Sequence, residues 1–172
     1  MPKTLNPQSG YTLVAILVWG LIMVGFAAFF HYLIDNINNP NQHIQGRVTQ
    51  SGQAQVSLKR NSMGHYVANG QINGKPVIFL LDTSATNVSV PAEVALRLGL
   101  IKNVPFYVNT ANGVIEVYST DIDKLSLGNI TMSDVKGSIN PYMGGEEILL
   151  GMSFLKHFEL VQRGDILTIT VP

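Results

Sequence analysis

Cysteine is absent from the 172 residues. Its absence excludes disulfide stapling, thiolate catalysis and cysteine metal centres. It assigns no compartment, because an exported protein can do without disulfides. Charge is scarce as well. Asp, Glu, Lys and Arg make up 13% of the chain, 11 basic against 11 acidic, and the formal net charge is zero. A nucleic-acid footprint would need a clustered basic face, and none is visible, so no nucleic-acid partner is expected. His31, His43, His65 and His157 are scattered, with no i, i+4 pair and no carboxylate cluster, so no metal site is expected. No Gly-x-Ser-x-Gly turn marks a serine nucleophile.

Apolar residues, by contrast, are concentrated at one end. From Leu13 to Phe30 there is no charged residue, and the run extends to Ile34. About 20 helical residues cross a hydrocarbon core of ~30 Å, so residues 13–34 predict one transmembrane helix. Trp19 lies inside the run, with Tyr11 and Tyr32 near its ends, where interfacial aromatics are favoured. A cleaved signal peptide would be shorter and would end at a small-x-small site, which is not evident between Phe29 and Asp35. Gly10 to Val14 resembles the cleavage region of pilin-like leaders, but Ala15 stands where those usually carry Glu. Lys3 precedes the run, Asp35 follows it, and the next basic residue is Arg47. This bias favours an internal N-terminus and an external C-terminal domain. The expected plan is a short segment 1–12, a transmembrane helix 13–34, a flexible linker 35–53 rich in Asn, Gln and Gly, and one folded domain 54–172.

Within that domain the pattern is of short strands and regular turns. Ala54 to Arg60 and Gly64 to Ile72 read as strands, and Asn73-Gly74 is a strong hairpin signal. Val77 to Leu81 reads as a buried strand, and Val88 to Val90 as a second β-prone run. Pro91 to Leu98 predicts a short helix, begun by Pro91 and ended by Gly99. Val104 to Thr110 and Val114 to Leu127 read as long strands joined at Ala111-Asn112-Gly113. Gly128-Asn129 and Ser133-Asp134 mark further turns. Gly144-Gly145-Glu146-Glu147 reads as a solvated loop and Ile148 to Leu150 as a short buried strand. Met152 to His157 suits a turn or two of helix. Glu159 to Gln162 and Ile166 to Val171 form a closing hairpin. The fold class expected is all-β, closed or nearly closed.

The stretch Val77 to Val90 organises the chain. An apolar strand delivers Asp82 into a short polar turn. An Asp with buried flanks needs hydrogen bonds, which Thr83 and Ser84 can donate through hydroxyl and backbone N–H. As a bland alternative, Asp82 is a turn residue capping nearby N–H groups. However, Asp82-Thr83-Ser84-Ala85-Thr86 resembles the active-site turn of the retropepsin-like aspartic proteases, most closely their membrane-anchored bacterial subgroup. The order of further elements adds to the resemblance. Asn112-Gly113 sits at a plausible flap tip, and Ile148-Leu149-Leu150-Gly151 is similar to the family's second apolar-apolar-Gly element. The resemblance spans roughly Gly64 to Val171. Ser84 stands where the family usually has Gly, and Ser84→Gly is expected to be tolerated.

The resemblance implies a single-lobe acid protease barrel preceded by one transmembrane helix. It implies Asp82 as the catalytic acid, Thr83, Ser84 and Ala85 as the active-site turn, and Thr110, Ala111, Asn112 and Gly113 as the flap over the substrate. Ile148, Leu149, Leu150 and Gly151 are the implied support. Peptide hydrolysis of this kind needs two carboxyl groups sharing a proton. The sequence supplies one such turn; Asp121, Asp123, Asp134 and Asp165 lack its flanks. A homodimer about a two-fold axis would supply the second carboxyl. The implied substrate is a polypeptide, with no cofactor. The implied location is the inner membrane, single-pass, with the catalytic domain on the periplasmic or outer side. Two other readings stay open: a non-catalytic peptide-binding or dimerisation module on the same fold, and a membrane protein whose β domain only contacts partners.

Overall fold

The computed structural model describes residues 8–110 and 113–172, with side chains from Thr12 onward. Internal contacts divide the chain into two units, Met1–Ile37 and Asn38–Pro172. The first is occupied by helix α1 (Gln8–Asn38). Its stretch Thr12–Asn38 is long and apolar enough to cross a membrane, and none of it is buried within the protein. Leu17, Val18, Trp19, Ile22, Met23 and Val24 are all exposed, so the apolar surface runs round the helix. A helix apolar on every face is one form that a membrane span or a signal sequence takes.

The second unit is built from strands. In chain order they are β1 (Arg47–Val48), β2 (Ala54–Lys59), β3 (Val67–Ile72), β4 (Lys75–Leu81) and β5 (Val88–Pro91), then helix α2 (Ala92–Leu98). After α2 come β6 (Pro105–Thr110), β7 (Gly113–Leu127), β8 (Ile130–Asn140) and β9 (Glu147–Leu150), a short helix α3 (Met152–Leu155), and finally β10 (Glu159–Arg163) and β11 (Ile166–Thr170). Seven strands form one sheet in the order β3-β4-β9-β5-β8-β7-β6. A further pairing of β3 with β7, at Gln71 with Ser126 and Ile72 with Leu125, closes that sheet on itself. The other four form a second sheet, β1-β2-β11-β10. The all-β expectation therefore holds, with closure supplied by one short antiparallel contact.

The sequence explains most of these elements locally. Asn73 and Gly74 both have positive φ, 51° and 77°, as a two-residue hairpin turn between β3 and β4 requires. In β4, Val77 and Phe79 alternate inward. Gly99, at φ 78°, ends α2, where its N–H and that of Leu100 bond back to Leu96 and Ala95 carbonyls. The core is a single cluster in which Phe79, Ile122, Leu125, Ile139, Ile148 and Phe154 have no exposed surface of consequence.

Two stretches differ from the sequence reading. Ser133-Asp134 is not a turn but lies inside β8. Asp134 does take a positive φ of 54°, which a short polar side chain tolerates. Yet the ladder to β7 continues on either side, with Lys124 opposite Ser133 and Ile122 opposite Val135. Long-range pairing overrides a local turn signal there. Residues 39–48, inside the expected flexible linker, are fastened to the barrel. The buried Asn41 side chain donates to the carbonyls of Lys59 (2.8 Å) and Val67 (2.7 Å) and accepts from Lys59 N–H (2.7 Å). Asn39 is buried too, donating to Asn69 and accepting from Asn41 N–H. Asn residues read as loop composition; here their amides replace backbone pairing between the ends of β2 and β3.

Candidate active site

Strand β4 runs parallel to β9, with Leu81 beside Leu150, and hands the chain directly to Asp82. Asp82 N–H donates to Leu150 carbonyl (3.2 Å), and Ala85 N–H closes the turn onto Asp82 carbonyl (3.2 Å). The start of α3 grips the far side. Met152 N–H donates to Ala85 carbonyl and Ser153 N–H to Thr86 carbonyl, both at 2.8 Å. Gly151 makes that approach possible. A Cβ built there would fall on the backbone carbonyls of Asn87 and Ala85, nearer than any side chain can sit. This is the physical content of the apolar-apolar-Gly element: Ile148 and Leu150 face the core, and Gly151 lets two backbones touch.

Ser153 is a supporting residue that sequence reasoning missed. Its hydroxyl accepts from Val88 N–H (3.0 Å) and donates to Lys136 carbonyl (2.8 Å), tying the end of the turn to β8. A contact so distant in the chain leaves no local signal.

The carboxylate itself is held from one side. Ser84 donates twice to Asp82 Oδ1, from its N–H at 2.9 Å and its hydroxyl at 2.6 Å. Ser84 thus supplies both bonds, whereas Thr83 is exposed and donates nothing to the carboxylate. Oδ2 has no partner among the described residues. Asp82 is half-buried and opens on a cleft of about 330 Å³ walled by Tyr66, Leu155, Leu160 and Leu167. Among the described residues no other carboxylate lines that cleft. Asp121 is engaged by Lys136 and Asn103, and Asp165 lies 3.8 Å from Arg60.

The flap candidate is the β6–β7 hairpin, whose last pair is Thr110 with Gly113. Thr110 Oγ1 donates to Gly113 carbonyl (2.8 Å), and Gly113 has φ 112°, a conformation suited to glycine. Ala111 and Asn112 lie outside the described residues. The hairpin joins the turn through the sheet: β7 pairs β8, and β8 pairs β5, the strand that follows the Asp82 turn. On β7, Tyr118 donates its hydroxyl to Glu116 (2.9 Å), which raises the phenol above its usual pKa. Across the sheet, Glu147 opens β9 rather than lying in a solvated loop. Glu146 pairs with Arg97 of α2, and the hydrogen bond from Arg97 holds its carboxyl below the usual carboxylate range. Among the described residues no group of three metal-ligating side chains gathers.

The arrangement can bind and polarise one water at Oδ2, with Oδ1 fixed in place. A family model described as "gag-polyprotein putative aspartyl protease" matches residues 68–157, which contain the turn, the hairpin and α3. An uncharacterized protein of Sinorhizobium sp. is 29% identical over 164 residues, covering 89% of this chain and 70% of that protein. An uncharacterized protein of Rickettsia prowazekii is 28% identical over 109 residues, covering 61% of this chain and 46% of its own length. Among solved structures, a retropepsin-like aspartic protease from Rickettsia conorii superposes with a TM-score of 0.57 at 22% identity, over 74% of this chain and 94% of that one. That likeness is one of fold, and the fold of residues 38–172 is retropepsin-like.

Proposed function

The chain belongs to the gag-polyprotein aspartyl protease family, and from that premise we propose that it is a membrane-anchored aspartic endopeptidase, active as a homodimer. The observation that carries the proposal is the asymmetric hold on Asp82: both Ser84 bonds go to Oδ1, and Oδ2 is left for chemistry. In the dimer, two Asp82 carboxyls would face one water and share one proton, because two carboxylates about 3 Å apart cannot both ionise. The ionised carboxyl takes a proton as the water oxygen bonds to the peptide carbonyl carbon. The protonated one gives its proton to the carbonyl oxygen. Collapse of the tetrahedral intermediate then breaks the C–N bond, and the amine leaves with a proton from the dyad.

The surrounding pieces take roles in this reading. Thr83, exposed at the base of the turn, bonds across the dimer. The β6–β7 hairpin, from Thr110 to Gly113, closes over an extended substrate strand and excludes water. Helix α1 anchors the chain in the inner membrane, with residues 54–172 as the catalytic domain on the periplasmic or outer side, so the substrates are polypeptides close to that membrane. Asp82→Asn tests the proposal. Peptide cleavage by the purified full chain should vanish while circular dichroism is unchanged. Undiminished cleavage by that variant refutes the assignment.

A further inference from the structure

The β6–β7 hairpin carries a carboxylate, Glu116, that forms no ion pair among the described residues. Directly opposed residues of an antiparallel pair share a face, and so do alternate residues along one strand. Tyr107 stands opposite Glu116, and Pro105 opposite Tyr118. Tyr118 packs against the core and is also opposite the buried Ile139 of β8. Glu116, Tyr118 and Tyr107 therefore lie on the inward face of the hairpin, the face that a closing flap lays on its substrate. Asp121, engaged by Lys136, is on the outward face. We propose that this inward face is a cation subsite, in which Glu116, flanked by Tyr107, Tyr118 and Tyr142, selects a lysine or arginine side chain of the substrate polypeptide. The inference rests on the endopeptidase reading above and names the substrate class of that same site.

Glu116 Oε1 accepts the Tyr118 hydroxyl (2.9 Å), which fixes the carboxylate in place without neutralising it. A half-buried carboxylate held by a neutral donor favours a cationic guest, because hydrogen bonds between two charged groups are stronger than neutral ones. The surface around it is aromatic and open. Tyr107 is 73% exposed and Tyr142 is 70% exposed. After Glu116, both also contribute to raising the Tyr118 phenol, which puts the three rings in one neighbourhood. Tyr142 comes from the connection between β8 and β9. Its neighbour Met143 lies 4.0 Å, sulfur to oxygen, from the Ser89 hydroxyl on β5, the strand that leaves the Asp82 turn. The cluster thus reaches from the hairpin toward that turn. Aromatic faces attract cations. The Tyr118 ring already holds one, since Lys102 Nζ lies 5.0 Å from its centroid. That ammonium takes the ring and leaves the carboxylate unpaired. An acidic substrate side chain placed here would be repelled, and an apolar one would bury the charge without a partner.

The test uses the full chain in detergent and peptides that differ at one position, arginine against norleucine or glutamate, scanned along both sides of a central bond. Cleavage is read as kcat/KM. Binding is read separately, on the same peptides with a reduced, non-hydrolysable amide at the central bond. At one position or more the wild type should favour arginine over norleucine about tenfold or more. Glu116→Gln should bring that ratio close to one, and Glu116→Lys should turn the preference toward glutamate; circular dichroism checks that both variants fold. Tyr118→Phe releases the carboxylate but keeps its charge, so it should lower the ratio only in part. A wild type that treats arginine and norleucine alike at every position, or a Glu116→Gln variant that keeps the full preference, overturns the subsite and leaves the endopeptidase reading intact. Binding that follows the charge at position 116 without any cleavage refutes the endopeptidase reading and upholds the subsite. A wild type that neither binds nor cleaves any of the peptides overturns both.

Discussion

Gly151→Ala is the sharpest probe of how the Asp82 turn is held. The added methyl would meet the carbonyls of Asn87 and Ala85, both backbone atoms that no rotamer change can move aside. Ordinary van der Waals separation demands that the turn and the start of α3 part by about 1 Å. That movement stretches the Met152 to Ala85 and Ser153 to Thr86 hydrogen bonds, each 2.8 Å in the intact protein. Overpacking costs about 1–3 kcal/mol, and each weakened hydrogen bond adds about 1 kcal/mol, so the expected destabilisation is about 3–5 kcal/mol. This is a large share of the stability of an ordinary domain. The assay is urea unfolding followed by tyrosine emission, because Tyr66, Tyr107, Tyr118 and Tyr142 report on the barrel while Trp19, the only tryptophan, lies in α1. The midpoint should fall at unchanged slope. Gly144→Ala is the control: nothing lies within 4 Å of its added carbon, and it should shift stability by no more than about 0.5 kcal/mol. If the two variants unfold together, the close approach at Gly151 does not hold the turn.

Three further outcomes are expected. Asn41→Ala removes two donated bonds and the acceptor for Lys59 N–H, and should cost about 2–3 kcal/mol in the same unfolding assay; a loss no greater than an exposed loop substitution would show that residues 39–48 are not fastened to the barrel. Ser84→Ala deletes the 2.6 Å bond to Asp82 Oδ1 but keeps the backbone one, so kcat should fall about tenfold with KM little changed and Ser84→Thr restoring it; Ser84→Gly should fold normally for the same reason. The Arg97–Glu146 pair contributes stability only while Glu146 is ionised: its carboxyl is lowered from the ordinary 4.5, so the contribution is present above that value and lost as pH falls through the lowered one. The stability gap between wild type and Arg97→Met should therefore close on acidification below about pH 4.5, and a gap equal at pH 3 and pH 7 contradicts this.

Much of the fold was legible because its signals are local. Asn73-Gly74 dictates a hairpin by backbone conformation alone, Gly99 ends a helix by the same means, and the alternation of β4 points Val77 and Phe79 inward. What escaped was non-local. β8 contains a turn-like Ser133-Asp134 pair and stays a strand there because β7 pairs with it on both sides of Asp134. Asn39 and Asn41 carry no pattern that distinguishes a buried, hydrogen-bonded amide from a linker amide. Glu146 is solvated as read, but its pairing with Arg97, far off in the chain, leaves no local signal.

The candidate site divides along the same line, and the division bears on function. The turn itself, from Asp82 to Thr86, and the supporting Gly151 were read from the sequence, while Ser153, two residues further along the β9–α3 segment, was not. That segment leads directly into β10. Leu155 at the end of α3 is buried and also walls the Asp82 cleft, and Phe154 packs on Phe158 with ring centroids 4.7 Å apart just before β10 begins. One short, well-packed piece of chain thus connects the clamp on the carboxylate to β10, whose Leu160 and Gln162 line the same cleft. Packed side chains transmit position with little slack. The wall of the cleft is therefore fixed relative to Asp82, and a substitution that loosens Gly151 or Ser153 would move wall and turn together.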